Sequence, residues 1–378
     1  MSKEKDNGNK ARKQQRKERR LLLLKDPNLS DKDRIQLLMG EIDSLKADLR
    51  DSKADSLSSV FIKSKMFNIS EQSVTPPLWL LKTKESSHKT IGIPTIFLSD
   101  WHYGEKVFAS QIGGVNDFDL TIADKRIQAL VNNSIDILFN HINNPKYDGL
   151  VLPLGGDMFS GNIHEELSST NEEEMMPCLL RLVGRLSWVI QCFLNHFDRI
   201  HIPVVVGNHG RTTRKPVYKN RVYTNYDWLL GCILAREFKH DKRVTFQISD
   251  GPDCQYQIYN HKYLLTHGDQ FSGGDSIIGA IGTVARGDSK KRNRESQLGN
   301  AYDTLICGHF HQLFITKKLI INSSLKGYDE YAHAHNFPFE APQQAMWLTH
   351  PVHGITFNMP IFLDERPKTN INKMPIKF

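Results

Sequence analysis

The chain predicts a mixed α/β fold built on two sheets. β-Branched runs of strand length recur from residue 91 onward, and each closes on a polar cluster. Helix-length segments separate the first three runs, and the back half is dense in further strand-like runs. In order, 93–99, 150–154, 200–206, 263–266 and 304–307 read as strands. Segments 124–141 and 175–197 read as helices, the alternation that lays parallel strands side by side. Runs at 244–249, 255–259, 313–316, 319–322, 343–349 and 355–363 suggest hairpins, and no internal repeat is visible.

The first 90 residues differ. Residues 1–25 hold ten Lys/Arg against Glu4, Asp6 and Glu18, a net +7 that equals the charge of all 378 residues. Basicity is therefore a property of the tail. Rich in Lys, Arg, Gln and Asn and without aromatic side chains to bury against ordering entropy, 1–25 is expected to be a disordered basic tail, able to touch nucleic acid as a polyelectrolyte. From Ser30 a capping pattern with Asp33 leads into Ile35, Leu38, Ile42, Leu45 and Leu49, a 3,4,3,4 stripe that predicts an amphipathic helix over 26–60. That stripe packs on the body or mediates self-association through residues 30–50. Residues 61–90, with Pro76-Pro77 and a short apolar patch at 78–81, read as a connector, and 91–378 as the folded domain.

Composition narrows the class. With 39% hydrophobic and 24% charged residues, 25 Gly and 16 Pro, collagen-like, mucin-like and wholly disordered chains are excluded. Unbroken aliphatic runs such as 21–24 and 204–206 are far shorter than the ~20 residues that span a bilayer, so no membrane partner is expected. The four leucines at 21–24 are too few for a secretory core, and the five cysteines are odd in number and lack CxxC spacing. The expectation is a cytoplasmic protein with reduced thiols.

The strand ends carry metal-ligand residue types in series: Asp100-Trp-His102, Gly156-Asp157, Gly207-Asn208-His209, His267-Gly-Asp269 and Gly308-His309-Phe-His311. Parallel strands deliver their last residues to one crevice, so such residues can converge. In Asp-x-His, the alternation of an extended chain would send both side chains to one face, and His309 and His311 repeat the spacing. One such residue alone is an ordinary turn former. The full set, buried, would be costly without a charge partner. Mixed Asp, Asn and His ligation suits divalent first-row metals, and two ions roughly 3.5–4 Å apart can activate a hydroxide for in-line attack on phosphorus.

In block order and identity, 91–327 resembles the calcineurin-like metallophosphoesterases, and Asn322-Ser-Ser-Leu-Lys-Gly327 resembles the segment after that family's last histidines. The resemblance implies a four-layer α-β-β-α metallophosphoesterase sandwich with two divalent ions, manganese first and iron or zinc as alternatives. It places Asp100, His102 and His311 on one ion, Asn208, His267 and His309 on the other, and Asp157 between them. His209 takes the place of the family histidine that contacts phosphate and protonates the leaving oxygen. Two departures bear on His209: Gly210 stands where an acidic residue usually follows, and Ser160 stands where the Gly-Asp block usually has its second aspartate.

Basic stretches follow the third block (Arg211, Arg214, Lys215, Lys219, Arg221) and the fourth (Arg286, Lys290, Lys291, Arg292, Arg294). Arg211, Arg214 and Arg286 are candidate substrate contacts, with the acidic residues 165–166 and 172–174 placed elsewhere. His164, His333 and His335 are left outside the site, the last two as parts of a surface loop. The expected function is hydrolysis of phosphate esters, phosphodiesters of DNA or RNA first. A phosphomonoesterase or protein phosphatase, and a non-catalytic metal-stabilised nucleic-acid-binding protein, are the alternatives.

Overall fold

The computed structural model describes residues 76–81, 91–143, 145–271 and 279–364. The chain divides into two units, Met1–Met66 and Phe67–Phe378, and every described residue belongs to the second. The expected basic tail and amphipathic helix lie outside the described residues, as does the connector apart from 76–81.

In chain order the elements are α1 (Leu78–Leu81), β1 (Ile93–Ile96), α2 (Leu120–Phe139), β2 (Leu150–Val151), α3 (Glu165–Thr170) and α4 (Met175–Leu194). Next come β3 (Ile200–Val204), α5 (Tyr226–Glu237), β4 (Val244–Ile248), β5 (Asp253–Ile258), β6 (His261–Thr266) and α6 (Ala280–Gln297). The remainder is β7 (Thr304–Cys307), β8 (Phe314–Ile315), β9 (Leu319–Ile321), α7 (Glu330–Ala334), β10 (Gln343–His350) and β11 (Gly354–Phe362). One sheet runs β11-β10-β1-β2-β3-β4, parallel from β1 to β4, and the other β5-β6-β7-β9-β8, parallel from β6 through β7 to β9.

Three apolar clusters define the layers. α2 buries Leu120, Ala123, Ile127, Leu130 and Leu138 at helical spacing, and with α4 and α5 covers the outer face of the first sheet. Ile93, Phe97 and Val151 of the first sheet meet Tyr256, Tyr263 and Ile306 of the second, forming the core between sheets. Val284 of α6 packs with Leu264, Leu305 and Cys307 on the far face of the second sheet. The order is thus α-β-β-α, and strands covered on both faces read as continuous apolar runs. α1 seats Leu80 in the intersheet core, and the backbone N–H of Tyr259 donates to its carbonyl.

The expected strands and helices form with ends shifted by a few residues in either direction, but two segments differ. The basic stretch at 286–294, to which the sequence assigned no element, is helical: α6 buries Val284, Gly287, Lys291 and Glu295 on one stripe, a pattern with too few apolar residues to announce a helix. His333 lies in a short capped helix and His335 at its C-terminal cap, the first turn held by Asp329 Oδ1 accepting the N–H of Ala332 at 2.7 Å, instead of a plain loop. α4 is long and apolar enough to cross a membrane by length and composition, but here Leu179, Leu182, Leu186, Val189 and Phe193 are buried in the outer core. None of the five cysteines forms a disulfide, and four of them are buried.

Candidate metal centre

Side chains that follow β1, β2, β3, β6 and β7 meet at the carboxyl ends of the parallel strands of both sheets. The ligand atoms of Asp100, His102 and His311 lie within 4.8 Å of one another, as do those of Asp157, His267 and His309, and those of His102, Asp157 and His209. Asp157 and His102 each belong to two of these groups, so the site is one continuous cluster. Asn208 joins it through Oδ1, 3.2 Å from His267 Nε2.

The extended alternation expected of Asp-x-His is not how these residues converge. β1 ends at Ile96 and β7 at Cys307, and Asp100 (φ 55°), His102 (φ 45°), Asp157 (φ 50°), His309 (φ 70°) and His311 (φ 54°) are all left-handed. Five of the eight non-glycine left-handed residues among the described residues therefore sit in this cluster. Such conformations cost about 1–3 kcal/mol each for a residue with a side chain and persist where the surroundings hold them. Asp and His tolerate the region better than most residues. Gly207 and Gly308 lie so close to the Asp157 and Asp100 carboxylates that a Cβ at either position would collide with them.

Backbone and side-chain donors fix the carboxylates. Asp100 Oδ1 accepts the N–H of His309 at 2.8 Å, and its Oδ2 accepts Ser99 Oγ at 2.5 Å. Asp157 Oδ1 accepts the N–H of His209 at 2.7 Å, while Oδ2 faces His267 Nε2 at 2.9 Å. His267 donates Nδ1–H to the carbonyl of Gly155 at 2.9 Å, which turns Nε2 toward Asp157 and Asn208. Burial alone would discharge His267, but the Asp157 carboxylate beside it outweighs burial and pushes its pKa up to about 10. Burial raises and the facing His267 lowers Asp157, which ends well below the usual carboxylate range. Burial, reinforced by Lys326, keeps His102 below the ordinary histidine range.

These residues fit a pair of divalent cations. His102 Nε2 and His311 Nε2 point at each other across 3.0 Å, an apposition that needs a proton or a cation between two lone pairs. Asp157 Oδ2 and Asn208 Oδ1 converge on Nε2 of His267 in the same way. The anchoring of His267 by a backbone carbonyl is how ligand imidazoles are commonly held.

The sequence left His209 without an orienting carboxylate; the structure supplies a carbonyl. His209 Nδ1–H donates to the backbone oxygen of Ser160 at 2.7 Å, and its ring stands edge-on to His102 at 4.6 Å. Space where a side chain at Gly210 would go is filled by Asn225 Oδ1 and Asp227 Oδ2. Asp227, in the first turn of α5, is buried and accepts the N–H groups of Asp157 (3.1 Å), Met158 (3.2 Å) and Gly207 (2.9 Å). Burial and the charge of Asp157 raise its pKa to about 6. The sequence reading missed Asp227; the Asn225-x-Asp227 capping pattern soon after the third block was its one local signal.

A second missed set is Glu105, Lys326 and Asp329. Lys326 Nζ contacts Glu105 Oε1 at 2.8 Å and Asp329 Oδ2 at 2.5 Å, and Glu105 Oε2 lies 3.4 Å from His102 Nδ1. All three are buried, and the two carboxylates hold Lys326 charged against the effect of burial.

A cavity of about 1000 Å³ opens on the cluster, lined by His102, Asp157, Asn208, His209, His309 and His311. His164 also lines it, with its ring 5.8 Å from that of His209, so this histidine stands at the site after all. The candidate substrate arginines fare differently. Arg211 borders a smaller neighbouring cavity and is hydrogen-bonded to the carbonyls of Asn208, Thr213 and Arg214. Arg214 pairs with Glu165 at 3.1 Å, and Arg286 is exposed on α6; neither lines the large cavity. Much of the remaining basic charge is engaged internally: Arg221 with Asp269, Lys291 and Arg294 with Asp253, and Arg292 with Asp288. The acidic stretch is not elsewhere either, since Glu166 lines the large cavity.

The α-β-β-α order, with His and Asp side chains clustered at its strand ends, agrees with the four-layer sandwich that the resemblance of the five sequence blocks to the calcineurin-like metallophosphoesterases implies. No protein-family model and no curated protein matches the sequence. Among solved structures, the chain is similar to a single-mutant Vps29 from Entamoeba histolytica, at 12% identity, covering 71% of this chain and 98% of that one, with a TM-score of 0.29.

Proposed function

We propose that the chain is a dinuclear-metal phosphoesterase whose substrates are phosphodiesters of nucleic acid. The observation that carries this reading is the sharing of Asp157 and His102 between adjoining ligand groups, which suits two neighbouring ions better than one. Asp100, His102 and His311 would hold one ion, Asn208, His267 and His309 the other, and Asp157 both. When bound, manganese, iron or zinc would supply Lewis acidity toward the phosphoryl oxygens and a nucleophile at neutral pH.

The chain's own residues supply the rest. Because Nδ1 of His209 is committed to Ser160, Nε2 is the nitrogen left to contact a phosphoryl oxygen and to give its proton to the departing alkoxide. Asp227 and Asn225 clasp the loops after β2 and β3, keeping Asp157, Asn208 and His209 in register. A cavity of about 1000 Å³ has room for a substrate much larger than one phosphoryl group.

Metal analysis of the purified protein and a substrate panel in manganese test the reading. Two bound ions with hydrolysis of a bis-aryl phosphodiester and labelled DNA are expected. Hydrolysis confined to monoesters or phosphopeptides would overturn the substrate class, and no hydrolysis of any ester would leave a metal-stabilised binding protein.

A further inference from the structure

The large cavity has two unlike walls. One is the histidine and carboxylate cluster, and facing it is the segment 328–338, whose Tyr331 and Phe337 line the cavity while remaining 64% and 47% exposed. Other aromatic side chains are as exposed, Tyr218 and Phe339 among them, but Tyr331 and Phe337 are open beside the histidine cluster.

This wall is built, not incidental. Tyr331 lies against His335 with ring centroids 4.1 Å apart and planes tilted by 34°, and Phe337 stands 6.0 Å from both rings. His335 Nδ1–H donates to the carbonyl of Tyr331, Phe337 N–H to that of Ala332, and Tyr328 Oη to that of Phe337. Asp329, which caps α7, is the far end of the Glu105–Lys326–Asp329 chain that begins at His102. Ring platform and candidate ligands are therefore held in one frame by buried ion pairs.

We infer that Tyr331, with Phe337 edge-on beside it at 74° between ring planes, forms a stacking platform for a nucleobase, so that the site takes a nucleotide with its phosphate at the histidine cluster and its base against Tyr331. This rests on the phosphoesterase reading. Both rings line the same cavity as His102, His209 and His311, and at about 1000 Å³ it has room for a phosphate, a sugar and a base together. In a nucleotide the sugar separates phosphate from base, whereas a phosphotyrosine ring is bonded directly to the phosphate oxygen, so the two ligands place their rings at different distances from the imidazoles. Aromatic faces accept any base, which gives affinity with little sequence preference.

Equilibrium binding to the full-length, manganese-loaded protein tests this, with inorganic phosphate, thymidine 5′-monophosphate and phosphotyrosine as probes. The monophosphate is expected to bind roughly 5- to 150-fold tighter than inorganic phosphate, the range that stacking of one base supplies. Tyr331→Ala should collapse that ratio and Tyr331→Phe should retain it. A ratio near one, or a ratio unmoved by both Tyr331→Ala and Phe337→Ala, overturns the platform. Phosphotyrosine binding tighter than the nucleotide, with the same response to Tyr331→Ala, overturns the base assignment. If the ratio behaves as expected while no ester is hydrolysed, the platform stands and the hydrolase reading fails.

Discussion

Asp157 and Asp227 are two buried carboxylates with opposite duties: Asp227 Oδ2 accepts the backbone N–H of Asp157 at 3.1 Å, while Asp157 turns its own Oδ2 toward His267 at 2.9 Å. One faces the ligands and the other holds the loop that presents them. Asp227→Ala would leave three buried N–H groups, on Asp157, Met158 and Gly207, without acceptors. Each costs about 1–3 kcal/mol, so a loss of at least ~3 kcal/mol is expected in denaturant unfolding. Asp227→Asn, which retains one acceptor oxygen, should fold and show manganese affinity reduced about 10- to 100-fold. Unaltered affinity in that variant would refute the positioning role.

His209 offers a test that separates proton donation from ligand binding. His209→Ala should keep manganese bound and lower kcat about 10²- to 10⁴-fold for esters with alkoxide leaving groups. Esters of p-nitrophenol, whose leaving group needs no proton, should suffer much less. Equal losses on both substrates would assign His209 to binding instead.

Binding of cations to the native cluster alone raises stability by mass action. Manganese at 100 times its dissociation constant should add about 2.7 kcal/mol, removed again by chelator. Asp157→Asn, which alters the carboxylate shared between ligand groups, should lose most of that increment and all hydrolysis. A full increment in this variant would show that the ions bind elsewhere.

His201 sets a pH dependence remote from the cluster. It is buried on β3 between Thr245 Oγ1 (3.0 Å) and Gln247 Oε1 (3.2 Å), and burial pushes its pKa down to about 4. An unfolded chain, with histidine near 6.5, takes up the proton first as pH falls. Stability is therefore lost between about pH 6.5 and 4, by up to ~3 kcal/mol from this group. Denaturant unfolding across that window should show the slope, and His201→Gln should flatten it whatever its effect at pH 7.

Much of the site was legible because its signals are local. Strand-length apolar runs such as 304–307 and polar residues just beyond them can be read without knowing what they pack against. Even so, Asp100 and His102 converge through left-handed backbone and not through strand alternation, since β1 ends at Ile96. α6 escaped notice because its buried stripe includes Gly287, Lys291 and Glu295, with Lys291 held by Asp253 of β5 at 2.6 Å, a partner 38 residues away.

The sequence by itself determined the order of the ligand types and their delivery at strand ends, since both are properties of short segments. Only the tertiary structure decided what completes them. Ser160 lends a backbone carbonyl to His209, Asp227 supplies a carboxylate beneath Asp157, and Lys326 joins two acids separated by 224 positions in sequence. Such partners leave no periodic trace, because hydrogen bonds and ion pairs depend on distance in space, which chain folding sets independently of distance along the chain.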